Sequence, residues 1–313
     1  LKILFAGTPE VAASTLKTLA TDPRFGNLDI VGVLTREDAP QGRKRILTPS
    51  PVALVATALG LRVIKANRLD EPTLAAIGET GAELGVVIAY GVLLKSDALS
   101  ALPRGWFNLH FSVLPRWRGA APVQRAIMAG DRTTGVTLFK LDAGMDTGPV
   151  VGMLETEIQP DETSGELLNR CRILGESLLA EALPALESGI AKFSAQDNIG
   201  ATLAPKLSRH EARLHASMSV LEADCLVRGT NPEPVAWCEL GETQLRVLRT
   251  RPLSTQAGTA LAMGTIDRMG ERVALGLAGG MLELLEVQPA GKTAMAAIDW
   301  ARGAKLPLTI ESK

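Results

Sequence analysis

Aromatic residues make up only 4% of this chain, with a single tyrosine, so a platform of rings stacking successive bases of a single strand is not expected. Cysteine is equally scarce. The three present, Cys171, Cys225 and Cys238, include no CxxC pair, which argues against a zinc ribbon or a disulfide framework and fits a reducing compartment. Histidine is limited to His110, His210 and His215, and the last two are separated by four residues, one more than an HExxH zinc site has. No metal is therefore expected. Neither sign of charge dominates: 33 Lys and Arg stand against 34 Asp and Glu, so any polyanionic partner must be held locally rather than by a global field. The longest apolar run, around residues 85–94, falls well short of the roughly 20 residues that span a bilayer, and no membrane association is expected. The first residues lack a charged leader and a small-residue cleavage site and read as a core strand. Leu1 stands where Met would begin a chain, which leaves the native start open. A cytoplasmic, monomeric protein is the expectation.

What is present is 313 residues with 46% hydrophobic content, enough for about two domains with real cores. Over residues 1–130, short β-rich runs alternate with amphipathic helical patterns, which predicts βαβ units and a mostly parallel sheet. Strands are expected at residues 1–7, 29–35, 62–66, 84–90 and 107–111, then at 135–142 and 149–158. A long helix is expected over residues 163–189. After the first strand, Thr8 is placed to cap a helix that opens with Pro9 and Glu10. Residues 36–51 form an unusually long loop with the basic run Arg43-Lys44-Arg45, and loops of such length are commonly functional or disordered.

Residues 194–207, with Gln196, Asp197, Asn198, Gly200 and Pro205, read as a linker. The pattern then changes to one helix near residues 218–229 followed by several strands, including a hairpin around Gly241-Glu242, as in a small β-barrel. This part carries 13 basic and 12 acidic residues from Lys206 onward, so it is no bulk basic module. The expected organisation is a first domain over residues 1–193, the linker over 194–207 and a second domain over 208–313.

Three segments can carry chemistry. Asn108-Leu109-His110 lies in a predicted strand, whose two-residue period puts Asn108 and His110 on one face. An amide beside an imidazole can polarise a carbonyl, stabilise an oxyanion and move a proton, although on sequence alone such a pair is more often structural than catalytic. Asp142-Ala143-Gly144-Met145-Asp146-Thr147-Gly148-Pro149 reads as an Asx-type turn or as the carrier of Asp146, a carboxylate facing His110. Its Asp-Thr-Gly triplet has no second copy, so an aspartic protease is not indicated. Arg116-Trp117-Arg118-Gly119-Ala120-Ala121-Pro122 either holds an anion between its arginines or is a surface turn packed under Trp117.

In their order and spacing these segments resemble the methionyl-tRNA formyltransferase family. The likeness extends from Phe5-Ala6-Gly7-Thr8-Pro9-Glu10 through Gly42-Arg43 with Pro49-Ser50-Pro51-Val52, Ala89-Tyr90-Gly91 and the three segments above. It continues in Ala204-Pro205-Lys206-Leu207-Ser208, Val227-Arg228 with Asn231-Pro232, and Gln288-Pro289-Ala290-Gly291-Lys292.

The resemblance implies a Rossmann-like α/β formyltransferase domain with a mostly parallel sheet, followed by a smaller OB-like barrel. It also implies formyl transfer from 10-formyltetrahydrofolate to the α-amine of methionyl initiator tRNA, for translation initiation. Asn108, His110 and Asp146 fall on the family's catalytic positions. Ile88, Tyr90, Gly91, Ser112, Val113, Leu114, Pro115 and Asp142 resemble its folate site, with backbone groups favoured over the Tyr90 side chain. Arg43, Lys44 and Arg45 resemble its tRNA-contacting loop, and Lys206, Arg246, Arg249 and Lys292 are the RNA-contact residues expected in the second domain.

An N-formyltransferase acting on an amino-sugar nucleotide or another amine would explain the same triad. It accounts less well for the basic loop and the C-terminal segments. A tRNA-binding protein without catalysis is disfavoured by the intact triad. A dinucleotide-dependent dehydrogenase is disfavoured by the first βα turn, Ala6-Gly7-Thr8-Pro9-Glu10, which is not GxGxxG.

Overall fold

The computed structural model describes residues 1–42, 44–254 and 261–310. The chain divides into two compact units. The first comprises Leu1–Pro122, Thr134–Thr156 and Leu168–Ala204, and the second comprises Val123–Thr133, Glu157–Leu167 and Pro205–Lys313.

The first unit opens with β1 (Lys2–Gly7), α1 (Glu10–Thr21) and β2 (Asp29–Thr35). Two short strands, β3 (Ala39–Gln41) and β4 (Ile46–Thr48), follow, with α2 (Pro51–Ala58), β5 (Val63–Lys65), α3 (Glu71–Gly78), β6 (Leu84–Ile88), α4 (Ser96–Leu99) and β7 (Trp106–His110). Next in the chain come α5 (Pro122–Met128), β8 (Thr133–Lys140), β9 (Val150–Glu157) and α6 (Ser164–Glu187). Seven of the strands form one sheet in the order β5-β2-β1-β6-β7-β8-β9. Pairing is parallel from β5 to β7, and β8 joins β7 antiparallel.

β1 and β6 are buried almost throughout, as parallel strands covered on both faces must be. That is why their sequences read as continuous apolar runs rather than alternating ones. Successive strands add outward from β1 to β2 and β5, after which the chain returns to the other side of β1 at β6. The reversal opens a crevice at the carboxyl ends of β1 and β6. Gly7 and Ile88 pair at that edge. A Cβ on Gly7 would lie 2.7 Å from the Ala12 Cβ and 2.9 Å from the Ile88 carbonyl oxygen, so only glycine permits this approach of α1 to the strand ends.

Two local expectations change here. Thr8 makes no cap hydrogen bond for α1. Its hydroxyl instead donates to the Tyr90 carbonyl at 2.8 Å and ties the end of β1 to the turn after β6. The long loop over residues 36–51 contains the antiparallel β3–β4 hairpin, which local propensity did not reveal because its strands have three residues each.

The second unit contains α7 (Val220–Thr230), β10 (Ala236–Leu240), β11 (Thr243–Leu253), β12 (Thr265–Met269), β13 (Arg272–Leu277), β14 (Gly280–Pro289), β15 (Met295–Ala296), α8 (Ala297–Gly303) and β16 (Leu308–Thr309). Its strands pair antiparallel in the order β10-β11-β14-β13-β12-β16, with β15 on β14. The result is the expected small, nearly closed barrel. Register shifts between Val247 and Thr250 break the β11 ladder, and such bulges bend a strand enough to curl a sheet. Gly241 and Glu242 make the expected hairpin turn between β10 and β11. α7 starts with a reciprocal capping box between Ser219 and Glu222, worth about 1 kcal/mol or more. It buries Ala223, Leu226 and Val227 in the same cluster as Val247, Leu275, Leu282 and Val287.

The second unit is not one contiguous stretch. Met128 of α5 packs on its core, and a Cβ on Gly229 would fall 2.5 Å from the Met128 Cγ. The physical reason is the absence of any side chain at Gly229, which lets α7 accept a helix from earlier in the chain. No helix among the described residues is long and apolar enough to cross a membrane.

Candidate active site

The alternation of β7 decides which of its side chains can reach a ligand. Leu109 points to the face crossed by α6, where a Cβ on Gly175 would come within 2.5 Å of the Leu109 Cδ2. Asn108 and His110 take the other face, with Asn108 half-buried and His110 buried. Among the described residues the Asn108 amide has no hydrogen-bond partner, which leaves its N–H groups to a ligand.

His110 Nε2 lies 2.8 Å from the Trp117 carbonyl oxygen. A carbonyl only accepts, so Nε2 carries the hydrogen and Nδ1 is the nitrogen that gains and loses a proton. Nδ1 faces Asp146 Oδ2 at 3.8 Å, an ion-pair separation too long for a direct hydrogen bond. Burial pushes the imidazole below its ordinary pKa of 6.5, and the Asp146 carboxylate and the Trp117 carbonyl offset this only in part. His110 is therefore neutral at pH 7. The unfolded chain binds this proton more readily than the fold does, so the associated stability is present above pH 6.5 and is lost as pH falls through the folded midpoint. With three histidines to resolve, proton NMR should give His110 a titration midpoint below 6.5. A midpoint at or above that value would contradict the burial argument.

Asp146 sits in the turn between β8 and β9 with φ +53°, a left-handed conformation that costs a non-glycine residue roughly 1–2 kcal/mol. Its Oδ2 accepts the Gly119 N–H at 2.7 Å. Gly119 has φ +124°, and a Cβ there would lie 2.8 Å from the Ala204 carbonyl oxygen. Residues 117–119 thus supply both anchors of the pair: the Trp117 carbonyl for His110 and the Gly119 amide for Asp146. Asp142, in the same turn, uses Oδ1 to accept from the Gly144 N–H at 3.0 Å and the Thr147 hydroxyl at 2.8 Å. It orders the loop that carries Asp146, and its side chain remains exposed.

Of the other residues expected around the crevice, Ile88 ends β6 and is fully buried. The strand stops there because Ala89 and Gly91 adopt positive φ, +47° and +80°. Tyr90 turns its ring into the core, where its hydroxyl donates to the Ala66 carbonyl at 2.8 Å, and burial pushes its pKa up to about 12. Ser112 donates its hydroxyl to the Arg116 carbonyl at 2.6 Å. The Val113 carbonyl receives the Arg116 N–H at 3.1 Å, and the Leu114 N–H donates to the Thr137 hydroxyl at 3.1 Å. Pro115 follows Leu114 through a cis peptide bond. The loop over residues 112–116 is closed on itself, so its shape is set before any ligand arrives.

The basic residues separate into two groups. Arg43 lies outside the described residues. Lys44 and Arg45 are exposed at the tip of the β3–β4 hairpin, beside the exposed side chains of Ile46 and Leu47. In the second unit Lys206 and Lys292 are exposed. Arg246 donates to Gln288 Oε1 at 3.1 Å, and Arg249 pairs with Glu166 and, at 3.9 Å, with Glu286. Arg249 is thus largely neutralised within its own unit. Arg118, one of the two arginines flanking Trp117, is 7% exposed and holds Gln196 and Asn198; the outward anion clamp is not open to it.

Sequence reasoning missed Thr137 and Gln196. Thr137 on β8 pairs with His110 in the sheet, and its hydroxyl also donates to the Ser112 carbonyl at 2.7 Å. A threonine in a strand carries no local sign of such a role. Gln196 was hidden in a stretch that reads as linker, and only its position between the loops of Arg118 and Asp146 gives it meaning.

Two family models cover most of the chain: formyl transferase over residues 1–183 and the formyl transferase C-terminal domain over residues 206–305. The chain belongs to the formyl transferase family. It is 45% identical over 303 residues to the methionyl-tRNA formyltransferase of Clavibacter sepedonicus, covering 97% of each protein. It is 47% identical over 304 residues to that of Leifsonia xyli subsp. xyli, covering 97% of this chain and 98% of the relative. Among solved structures, the N-formyltransferase of Helicobacter canadensis, in complex with folinic acid and dTDP-3-aminofucose, matches the fold with a TM-score of 0.62 at 17% identity, over 92% of this chain and 99% of that one.

Proposed function

We propose that the chain transfers a formyl group from 10-formyltetrahydrofolate to the α-amine of methionyl initiator tRNA. The acceptor assignment rests on one observation: identity of 45–47% to methionyl-tRNA formyltransferases runs through 97% of the chain, including the barrel unit. The likeness to a sugar N-formyltransferase stops at 17% identity and bears on the fold alone.

The geometry of the first unit supports the reaction. As the amine nitrogen bonds to the formyl carbon, negative charge grows on the formyl oxygen, where the unpartnered Asn108 amide can donate. Neutral His110 takes the proton released by the amine at Nδ1, because Nε2 is already committed to the Trp117 carbonyl. Asp146 stabilises the imidazolium so formed across the 3.8 Å gap. When the bond between the formyl carbon and folate N10 breaks, the same proton returns to N10. One proton leaves the amine and one reaches the folate nitrogen, so no metal is needed for the balance.

The strand-end turn containing Ile88, Tyr90 and Gly91, with the self-closed loop of Ser112, Val113, Leu114 and Pro115, suits a planar pterin recognised by backbone groups against apolar walls. Asp142 acts by ordering the Asp146 loop. Lys44 and Arg45, with Arg43, meet tRNA phosphates, and Lys206 and Lys292 are the second unit's better RNA contacts because Arg249 is paired internally.

The test is formyl transfer by the purified protein from 10-formyltetrahydrofolate to charged initiator tRNA, with an amino-sugar nucleotide as the competing acceptor. Formyl-methionyl-tRNA should be the product. Formylation of the sugar alone would reassign the acceptor, and no transfer to either would overturn the reading.

A further inference from the structure

Residues 194–204, which read as a linker, are hydrogen-bonded into the first unit. Ser194 exchanges backbone hydrogen bonds with Val150 on β9 at 2.8 and 2.9 Å. Further along, the Arg118 N–H donates to the Thr202 carbonyl at 2.9 Å and the Ala204 N–H to the Arg118 carbonyl at 2.7 Å. The Thr202 hydroxyl also accepts the Trp117 N–H at 2.9 Å. The segment is a strap along the loop that anchors His110 and Asp146.

Near the start of this strap, Gln196 joins the two loops that carry Arg118 and Asp146. Its Nε2 donates to the Asp146 carbonyl at 2.9 Å and to the Gly148 carbonyl at 2.8 Å, which uses both amide hydrogens. Its Oε1 accepts from Arg118 Nη2 at 2.8 Å and Nε at 3.2 Å. Arginine has only donors and carbonyls only accept, so the amide can sit just one way round. Arg118 is braced in turn by Asn198 Oδ1 at 3.0 Å. Among side chains only the carboxamides of Gln and Asn combine an oxygen acceptor with two N–H donors.

We propose that Gln196, braced by Arg118, is a positioning residue for Asp146. Its amide holds the Asp146 to Gly148 backbone in the left-handed turn, and so keeps the carboxylate on the Gly119 N–H and opposite His110 Nδ1. The proposal rests on the formyl-transfer reading above for its effect on turnover. Its structural half, the control of the distance between Asp146 and His110, does not need that reading.

Two near-isosteric variants test it. Gln196→Glu keeps an oxygen for Arg118 and loses both donors, and Gln196→Met removes all of the hydrogen bonds at similar volume. In each, kcat should fall at least about tenfold, while KM for the folate donor and for charged tRNA stays within about twofold of the unsubstituted protein. The His110 midpoint measured by NMR should also move further down, because the receding Asp146 carboxylate is one of the groups that raise it. Wild-type turnover in a folded variant, or an unmoved His110 midpoint, would overturn the proposal. So would a loss shared equally by kcat, both KM values and the melting temperature, since that marks a merely structural residue. An unsubstituted protein that formylates neither acceptor would instead strike the functional reading, and the His110 midpoint would still decide the clamp.

Discussion

Replacing His110 with alanine should lower kcat by about 10³-fold, within the 10²–10⁴ range that a positioned general acid–base group contributes, while charged tRNA still binds with nearly unchanged affinity. A loss of 10³ corresponds to about 4 kcal/mol of transition-state stabilisation. In the proposed reaction the substitution removes the group that takes the amine proton at Nδ1 and returns it to the leaving nitrogen. It leaves intact the exposed Lys44 and Arg45 on a separate hairpin, so RNA binding has no reason to follow. Single-turnover formylation and a filter-binding titration on the same preparation separate the two effects. Parallel loss of binding and turnover would refute the catalytic role of His110.

Asn108→Ala should cost about 10²–10³ in kcat, the size found when one oxyanion donor is removed, with little change in KM for the folate donor. The amide has no partner among the described residues, so its removal strands no buried group and should leave the melting temperature within about 1 kcal/mol-equivalent of the parent. Asn108→Asp makes the sharper comparison, because it preserves shape, removes the donor and adds charge of the wrong sign. Steady-state kinetics with thermal melts read both. Activity within threefold of the parent in Asn108→Ala would remove Asn108 from the transition state.

The two substitutions also differ in their expected pH behaviour. In Asn108→Ala the titrating group survives, so the pH dependence keeps its limb at the lowered His110 pKa. In His110→Ala that limb disappears and only a low residual rate remains.

Much of this molecule was legible before any coordinates. Buried parallel strands must be apolar on both faces, so β1 and β6 stand out in the sequence. The two-residue period of a strand put Asn108 and His110 on one face without further information. Family likeness, spread over segments from Phe5 to Lys292, supplied the reaction and favoured the catalytic reading of Asp146 over a plain Asx-type turn.

What the linear order could not carry is which distant groups meet. That Nε2 rather than Nδ1 of His110 is committed, that Thr8 binds Tyr90 instead of capping α1, and that Arg118 faces inward all depend on where carbonyl oxygens lie in space. Gln196 is the clearest case: fifty residues separate it from Asp146. Hydrophobic periodicity is local and is written into neighbouring residues. Hydrogen-bond complementarity between separate loops exists only once the sheet has brought those loops to the same edge.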